Sequence, residues 1–313
     1  MRKLLILLVF CACISCTGHD NYVVFSGYAQ GGTYTVKANL KGVRTPVPEI
    51  RDSIGSILGK IDFTLSGYNR NSLLSRFNEG EDIKPNALFT DIIRISGRMC
   101  EETSGAFDVW AAPLFDIWGF GFKSGEFPTD DMVEDAMKLY KEHKVLNFNA
   151  IAQGYSCDVV ARYLQSIGVE DMLVDIGEIY CSGLNPSGKG WSIGIDNPVD
   201  GNNTPGADIR AVWTSDGNAC GIVTSGNYRK FYIKDGKKYS HTVDPRTGRP
   251  VDHDLLSATI VAPTAAQADA YATACMVMGM QEAREFIESR DDIEGYLIGA
   301  SSTWTSEGFR IRD

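Results

Sequence analysis

Helices and strands do not alternate regularly along this chain, and that order limits the folds open to it. Two strands come first, Tyr22 to Phe25 and Thr33 to Leu40, the second placing Tyr34, Val36 and Ala38 on one face. Four helices follow. One opens at Pro46 and Pro48 and carries Ile50, Ile54, Ile57 and Ile61 at helical spacing. Another runs from about Ala87 to Glu102 with Leu88, Ile92, Ile95 and Met99. Thr129-Asp130-Asp131 caps a third, which reaches about His143. The fourth, Tyr155 to Ile167, ends at Gly168 and leads into a buried strand, Met172 to Asp175.

The later half is richer in strand. Trp191 to Asp196, Ile209 to Thr214, Tyr228 to Ile233 and Lys238 to Val243 fit, with Asp235-Gly236 turning the last two as a hairpin. Ser257 to Val261 precedes a small-residue helix from about Ala265 to Met278. A short helix and strands near Tyr296 to Ile298 and Phe309 to Ile311 close the chain. No repeat and no composition break divides it. The class is therefore α+β, mixed sheets with packed helices in one large globular unit over residues 22–313.

The 313 residues, 43% of them hydrophobic, suffice for a sizeable core. Lysine plus arginine is 30 against 40 acidic residues, a net of −10, so neither a generic nucleic-acid surface nor a basic lipid-docking face is expected. A phosphate-bearing ligand would need a local device such as a metal ion, helix N-termini or a few placed side chains.

At the N-terminus, Arg2 and Lys3 precede an apolar run from Leu4 to Ala12, too short to span a bilayer. Residues 1–15 read as an export signal. Ser15 directly before Cys16 resembles a bacterial lipobox, with Cys16 lipidated and residues 16–21 a tether; ordinary secretory cleavage nearby is the alternative. The remaining cysteines, Cys100, Cys157, Cys181, Cys220 and Cys275, are odd in number and lack CxxC spacing. They read mostly as small buried residues. A disulfide is allowed but not predicted, and four scattered histidines argue against zinc.

Several segments carry chemistry, each with an ordinary structural use beside it. Ser104-Gly105-Ala106-Phe107-Asp108 follows a helix, where Phe107 could stack on a ring and Asp108 accept a hydrogen bond, or the segment could be a plain helix C-cap. Ala150-Ile151-Ala152-Gln153-Gly154-Tyr155 enters a helix, whose first N–H groups favour anions or are simply capped. His241 ends a strand beside the turn Asp244-Pro245-Arg246-Thr247-Gly248, and the turn does not require the histidine. Thr224-Ser225-Gly226 is a polar strand start. Asp269 and Thr273 lie four apart, so their oxygens share a helix face, either as dipole compensation or as ligands for a hard cation such as magnesium. Gly183 to Lys189 nearly spells a P-loop, but Gly190 replaces the required hydroxyl and a strand follows, so that reading is rejected.

In order along the chain these segments resemble the FAD:protein FMN transferases, the ApbE family. The likeness also takes in Gly32-Thr33-Tyr34, Leu65-Ser66-Gly67-Tyr68, Ser72 to Asn78, Asp158 and Val174-Asp175-Ile176-Gly177. It departs at Gln153, where a lysine is common, and at Glu178, where a second glycine is common.

The resemblance implies an enzyme that cleaves FAD and attaches FMN through a phosphoester to a threonine or serine of an exported acceptor, such as an electron-transport subunit or flavin reductase, releasing AMP. By the same carry-over, Thr33, Tyr68, Ala106, Phe107, Asp108, Gln153 and His241 would bind FAD. His241 would be catalytic, and magnesium would sit on Asp269, Thr273 and the Ala150 carbonyl. The enzyme would work from the periplasmic side of a bacterial membrane, anchored by lipid on Cys16. The rival readings are an FAD pyrophosphatase using the same site, and a lipoprotein that only binds a flavin or similar solute.

Overall fold

The structure, a computed structural model, describes residues 21–122, 127–202, 204–228, 231–234 and 236–312. The predicted leader, the lipidation residue Cys16 and most of the tether lie outside the described residues, as does Asp235 of the predicted turn.

The chain opens with the hairpin β1 (Tyr22–Ala29) and β2 (Gly32–Asn39). Helices α1 (Val47–Leu65), α2 (Leu73–Asn78), α3 (Ala87–Glu102), α4 (Ala112–Ile117), α5 (Asp130–Lys141) and α6 (Ala152–Ser166) follow. Next come β3 (Met172–Asp175), β4 (Ile179–Ser182), β5 (Ser192–Asp196), β6 (Ile209–Thr214) and β7 (Cys220–Gly226). The hairpin β8 (Phe231–Lys234) and β9 (Lys237–Ser240) leads to the short pair β10 (Val243–Asp244) and β11 (Arg249–Pro250). Then β12 (Leu255–Ala262), α7 (Ala265–Glu288), β13 (Glu294–Gly299), β14 (Thr303–Thr305) and β15 (Ile311–Arg312) complete the order.

Eight strands join in the order β1-β2-β3-β4-β7-β12-β13-β14, each neighbouring pair antiparallel. Side chains alternate across this sheet and divide the core. Val223, Ala258, Ile260 and Leu297 face α7, and Val174 and Tyr180 face α6 and α1. Leu173, Cys181, Ile222, Val261, Tyr296 and Ile298 point the other way, onto the small sheet β15-β6-β5 with its Trp213 and onto Trp191 just before β5. The result is three layers, helices over a large sheet over a small one.

Local chemistry accounts for the helix ends. Asn86 Oδ1 accepts from the Phe89 N–H at 2.9 Å to start α3, and Thr129 Oγ1 from Met132 to start α5. Gly279, at φ 78°, breaks α7 where the small-residue pattern ends at Met278, and a second helical run continues to Glu288. That second run is the short helix expected after Met278, whereas α6 starts earlier than expected, at Ala152. Thr224 to Gly226 end a strand instead of starting one, because β7 runs inward from Cys220. His241 follows β9 and lies outside any strand, and Tyr228, the expected start of the β8 strand, is not in a strand.

Candidate active site

Two helix starts and one strand end converge on a cleft of about 520 Å³. Such a volume suits a small-molecule ligand. Nine of the predicted residues line it: Tyr68, Ala106, Phe107, Asp108, Ala150, Gln153, His241, Asp269 and Thr273. Thr33 does not. It is exposed on β2, opposite Tyr28, and is absent from the lining. A second hollow of about 440 Å³, between α1 and the start of α3, has Lys60 as its single ionisable side chain among the described residues and none of these groups.

The wall from α3 is built by a reversal. Ser104 and Gly105 both take positive φ, 51° and 78°, and turn the chain into the buried pair Ala106 and Phe107. Asp108 is held firmly. Its Oδ1 accepts the Trp110 N–H at 2.9 Å and its Oδ2 the Tyr140 hydroxyl at 2.7 Å, which leaves further lone pairs on the cleft side. Tyr68, 72% exposed, stands at the mouth with its ring edge-on to Phe122 and its hydroxyl accepting from Asn149 at 3.2 Å.

The floor lies where α6 meets α7. Gly154 is required here by closeness, since an added Cβ would lie 2.3 Å from the Ala265 carbonyl oxygen. The approach lets the Gly154 N–H reach Asp269 Oδ2 at 3.1 Å. Asp269 is buried, and desolvation, eased by that N–H and aggravated by the charge of Asp158, raises its pKa to about 7. Asp158 itself fastens α7, taking the N–H groups of Ala265 and Ala266 at 2.8 and 3.0 Å. Its role is to cap a helix. One turn beyond Asp269, the Thr273 hydroxyl lies 3.4 Å from that of Ser225 on β7.

Oxygen donors therefore gather on one side: a carboxylate, two hydroxyls and the segment carrying the Ala150 carbonyl. Among the described residues no three or more His, Cys, Asp and Glu cluster. A cation held here would draw its other ligands from neutral oxygens, phosphate and water, which fits magnesium. Asp269 supports that fit, being a buried carboxyl whose Oδ2 accepts a backbone N–H, with lone pairs to spare for a cation.

Gln153 rests against Gly177, at φ 92°, with its Nε2 2.6 Å from where a Cβ on that glycine would stand. His241 also lines the cleft, edge-on to Phe120 with ring centroids 6.3 Å apart. Sequence reasoning did not single out Asn147, Asn149, Met276 or Val277, which also line the cleft. The first two were findable: the Asn147 side chain accepts the Asn149 N–H at 2.8 Å, a turn that an Asn-x-Asn spacing signals.

Fold and cleft together define an α+β enzyme whose ligand cleft opens between the sheet and two helix starts. The FAD:protein FMN transferase of Escherichia coli K12 is 33% identical over 292 residues, covering 84% of this chain and 81% of its own. That of Haemophilus influenzae is 31% identical and covers 91% and 88%. The flavin transferase ApbE from Vibrio cholerae superposes with a TM-score of 0.79 at 29% identity, over 92% of this chain and 98% of its own. The apo flavinyl transferase ApbE of Pseudomonas stutzeri gives 0.80 at 28%, over 92% and 96%. The ApbE family model matches residues 31–297, and the chain belongs to that family. The family, the α+β class and the enzyme reading drawn from the motifs all hold.

Proposed function

We propose that this enzyme is an FAD:protein FMN transferase that depends on magnesium, modifies a threonine or serine of an exported protein and releases AMP. The observation that carries the reading is the charge of the cleft. Asp108, Glu178 and Asp269 line it, and among the described residues no lysine or arginine does. Carboxylates in such a space repel the phosphates of a dinucleotide unless a cation stands between them. Asp269, Thr273 and the Ala150 carbonyl would hold magnesium, which when bound neutralises phosphate charge and polarises the bond to be broken.

The chain's own residues supply the rest. Tyr68 and Phe107 offer ring faces and edges to the flavin, and Asp108 and Gln153 offer hydrogen bonds. His241 accepts the proton of the acceptor hydroxyl as its oxygen bonds to the FMN phosphorus. The bond from that phosphorus to the bridging oxygen breaks, and AMP leaves with the electron pair. Water in place of the hydroxyl would give FAD hydrolysis.

Arg2-Lys3, the apolar run and Ser15-Cys16 support export and lipid anchoring at a bacterial membrane, on the periplasmic side. Among the described residues no helix is long and apolar enough to cross a membrane. Cys16→Ser should move the protein to the soluble fraction with loss of the acyl mass; unchanged membrane retention and mass would refute lipidation.

The functional test is incubation with FAD, magnesium and a candidate acceptor domain, read by in-gel flavin fluorescence and AMP release. A fluorescent acceptor with AMP is expected. AMP with free FMN alone would make the enzyme a pyrophosphatase, and FAD retention without AMP a binding protein.

A further inference from the structure

We propose that Cys181 and Cys220 are a dithiol that closes to a cross-strand disulfide, stapling the segment between β4 and β7 to the large sheet. The two residues are direct partners in the antiparallel β4–β7 pairing. Their Sγ atoms stand 3.8 Å apart, in van der Waals contact, and both are free thiols. Residues directly opposed across strands have Cβ atoms about 4.5–5.5 Å apart, and a disulfide asks for about 3.5–4.5 Å. Closure therefore needs about an ångström of approach and a rotation of the side chains. Cys157, by contrast, donates its thiol to the Glu178 carbonyl at 3.0 Å, an ordinary use for a buried cysteine.

The two thiols are unequal, and that sets the order of events. Cys181 is fully buried on the face that carries Trp191 and Trp213, whereas Cys220 is half-buried. The Cys220 thiol beside it and burial push the Cys181 thiol far above its usual range. Cys220 is thus the sulfur that a reagent meets first. Its thiolate attacks a disulfide reagent, either a small molecule such as oxidised glutathione or an oxidase's exposed disulfide, and one reagent thiolate leaves. The Cys181 sulfur, losing its proton, then attacks Cys220 Sγ and expels the second reagent thiolate. The pair gives up two electrons and two protons, and the reagent becomes two thiols.

The bond would enclose β5 and β6, the greater part of the small sheet, in a loop 39 residues long. It would also fix one end of β7, whose other end carries the cleft residues Thr224 and Ser225. The cysteines themselves are not among the residues lining the cleft. A staple here acts on stability and leaves the chemistry alone.

To test this, the full chain is reduced, desalted, incubated with oxidised glutathione, denatured in N-ethylmaleimide and digested. The expected product is a peptide pair joined through Cys181 and Cys220, with a melting temperature at least ~5 °C above that of the reduced chain. Dithiothreitol should reverse the rise, and the C181A/C220A chain should not show it. Where the double substitution unfolds the chain, C220S serves as the control and must show no rise. Recovery of both residues as maleimide adducts, glutathione that stays on Cys220, or a joined pair without a thermal gain would each overturn the proposal.

Discussion

The N–H of Gly154 donates to Asp269 Oδ2 at 3.1 Å, so the first turn of α6 holds the carboxyl that α7 presents to the cleft. The same junction is tied in the reverse sense by Asp158 of α6, which receives two N–H groups from the start of α7. Two buried carboxyls thus share one helix junction. Burial raises both, Asp158 to about 6 and Asp269 to about 7.

A pH dependence follows. A carboxyl whose folded pKa lies above its unfolded value binds more protons when folded, so stability falls as pH rises between the two. For Asp269 that window runs from the ordinary value of 3.8 to about 7. In EDTA the folded state should lose stability on the order of a few kcal/mol across it, and gain nothing below it. Melting curves of the native and Asp269→Asn chains from pH 4 to pH 8 check this. Their difference should change across the window, and parallel curves would show an ordinary carboxyl.

Magnesium supplied by few protein oxygens borrows the rest of its shell from phosphate and water. It should therefore bind weakly without FAD, and each should tighten the other by the same factor. Calorimetry of FAD binding with and without magnesium measures the coupling. Asp269→Asn keeps an acceptor for the Gly154 N–H while removing the charge, and should abolish nearly all transfer. Thr273→Ala should be milder, since water can replace a neutral ligand. Full transfer in EDTA would leave Asp269 as only a packing residue.

His241→Ala should keep the fold and lower FMN transfer at least ~10²-fold, the low end for loss of a general base. The imidazole borders the cleft beyond the end of β9, away from the main core. Native activity in a folded variant would reduce the histidine to architecture.

The sequence showed α1, α3 and α5 because isoleucine spacing and side-chain caps are local signals, and α6 because Gly168 stops it. It hid β7, although that strand lies near the middle of the sheet. Gly221 weakens its strand pattern, yet a Cβ there would stand 2.3 Å from the Ala265 Cα, a demand made by a helix 44 positions onward. The helix α4 was hidden by its brevity and by Pro113 in its first turn. In the cleft, the one-turn spacing of Asp269 and Thr273 was legible, as was the lone histidine beside a turn. Thr33 was carried over by likeness alone, and the structure leaves it outside the lining.

Gly154→Ala tests the same kind of crowding at the site. The nearest atoms are the Ala265 carbonyl oxygen and carbon, which cannot rotate aside. The substitution should cost about 1–3 kcal/mol or more and displace Asp269, lowering magnesium affinity along with the melting temperature. A variant with native stability and native metal binding would show that α6 and α7 can separate freely.

The bond between Gly154 and Asp269 spans 115 positions, and the capping by Asp158 spans 107 and 108. An emerging polypeptide therefore carries the walls of this site, from Tyr68 to His241, well before its floor. Until α7 has been made and docked, Asp269 has no neighbour to orient it and the cleft lacks its floor. On the proposed function, fragments that stop short of α7 would lack Asp269 and Thr273, the residues assigned to magnesium, and would not transfer FMN.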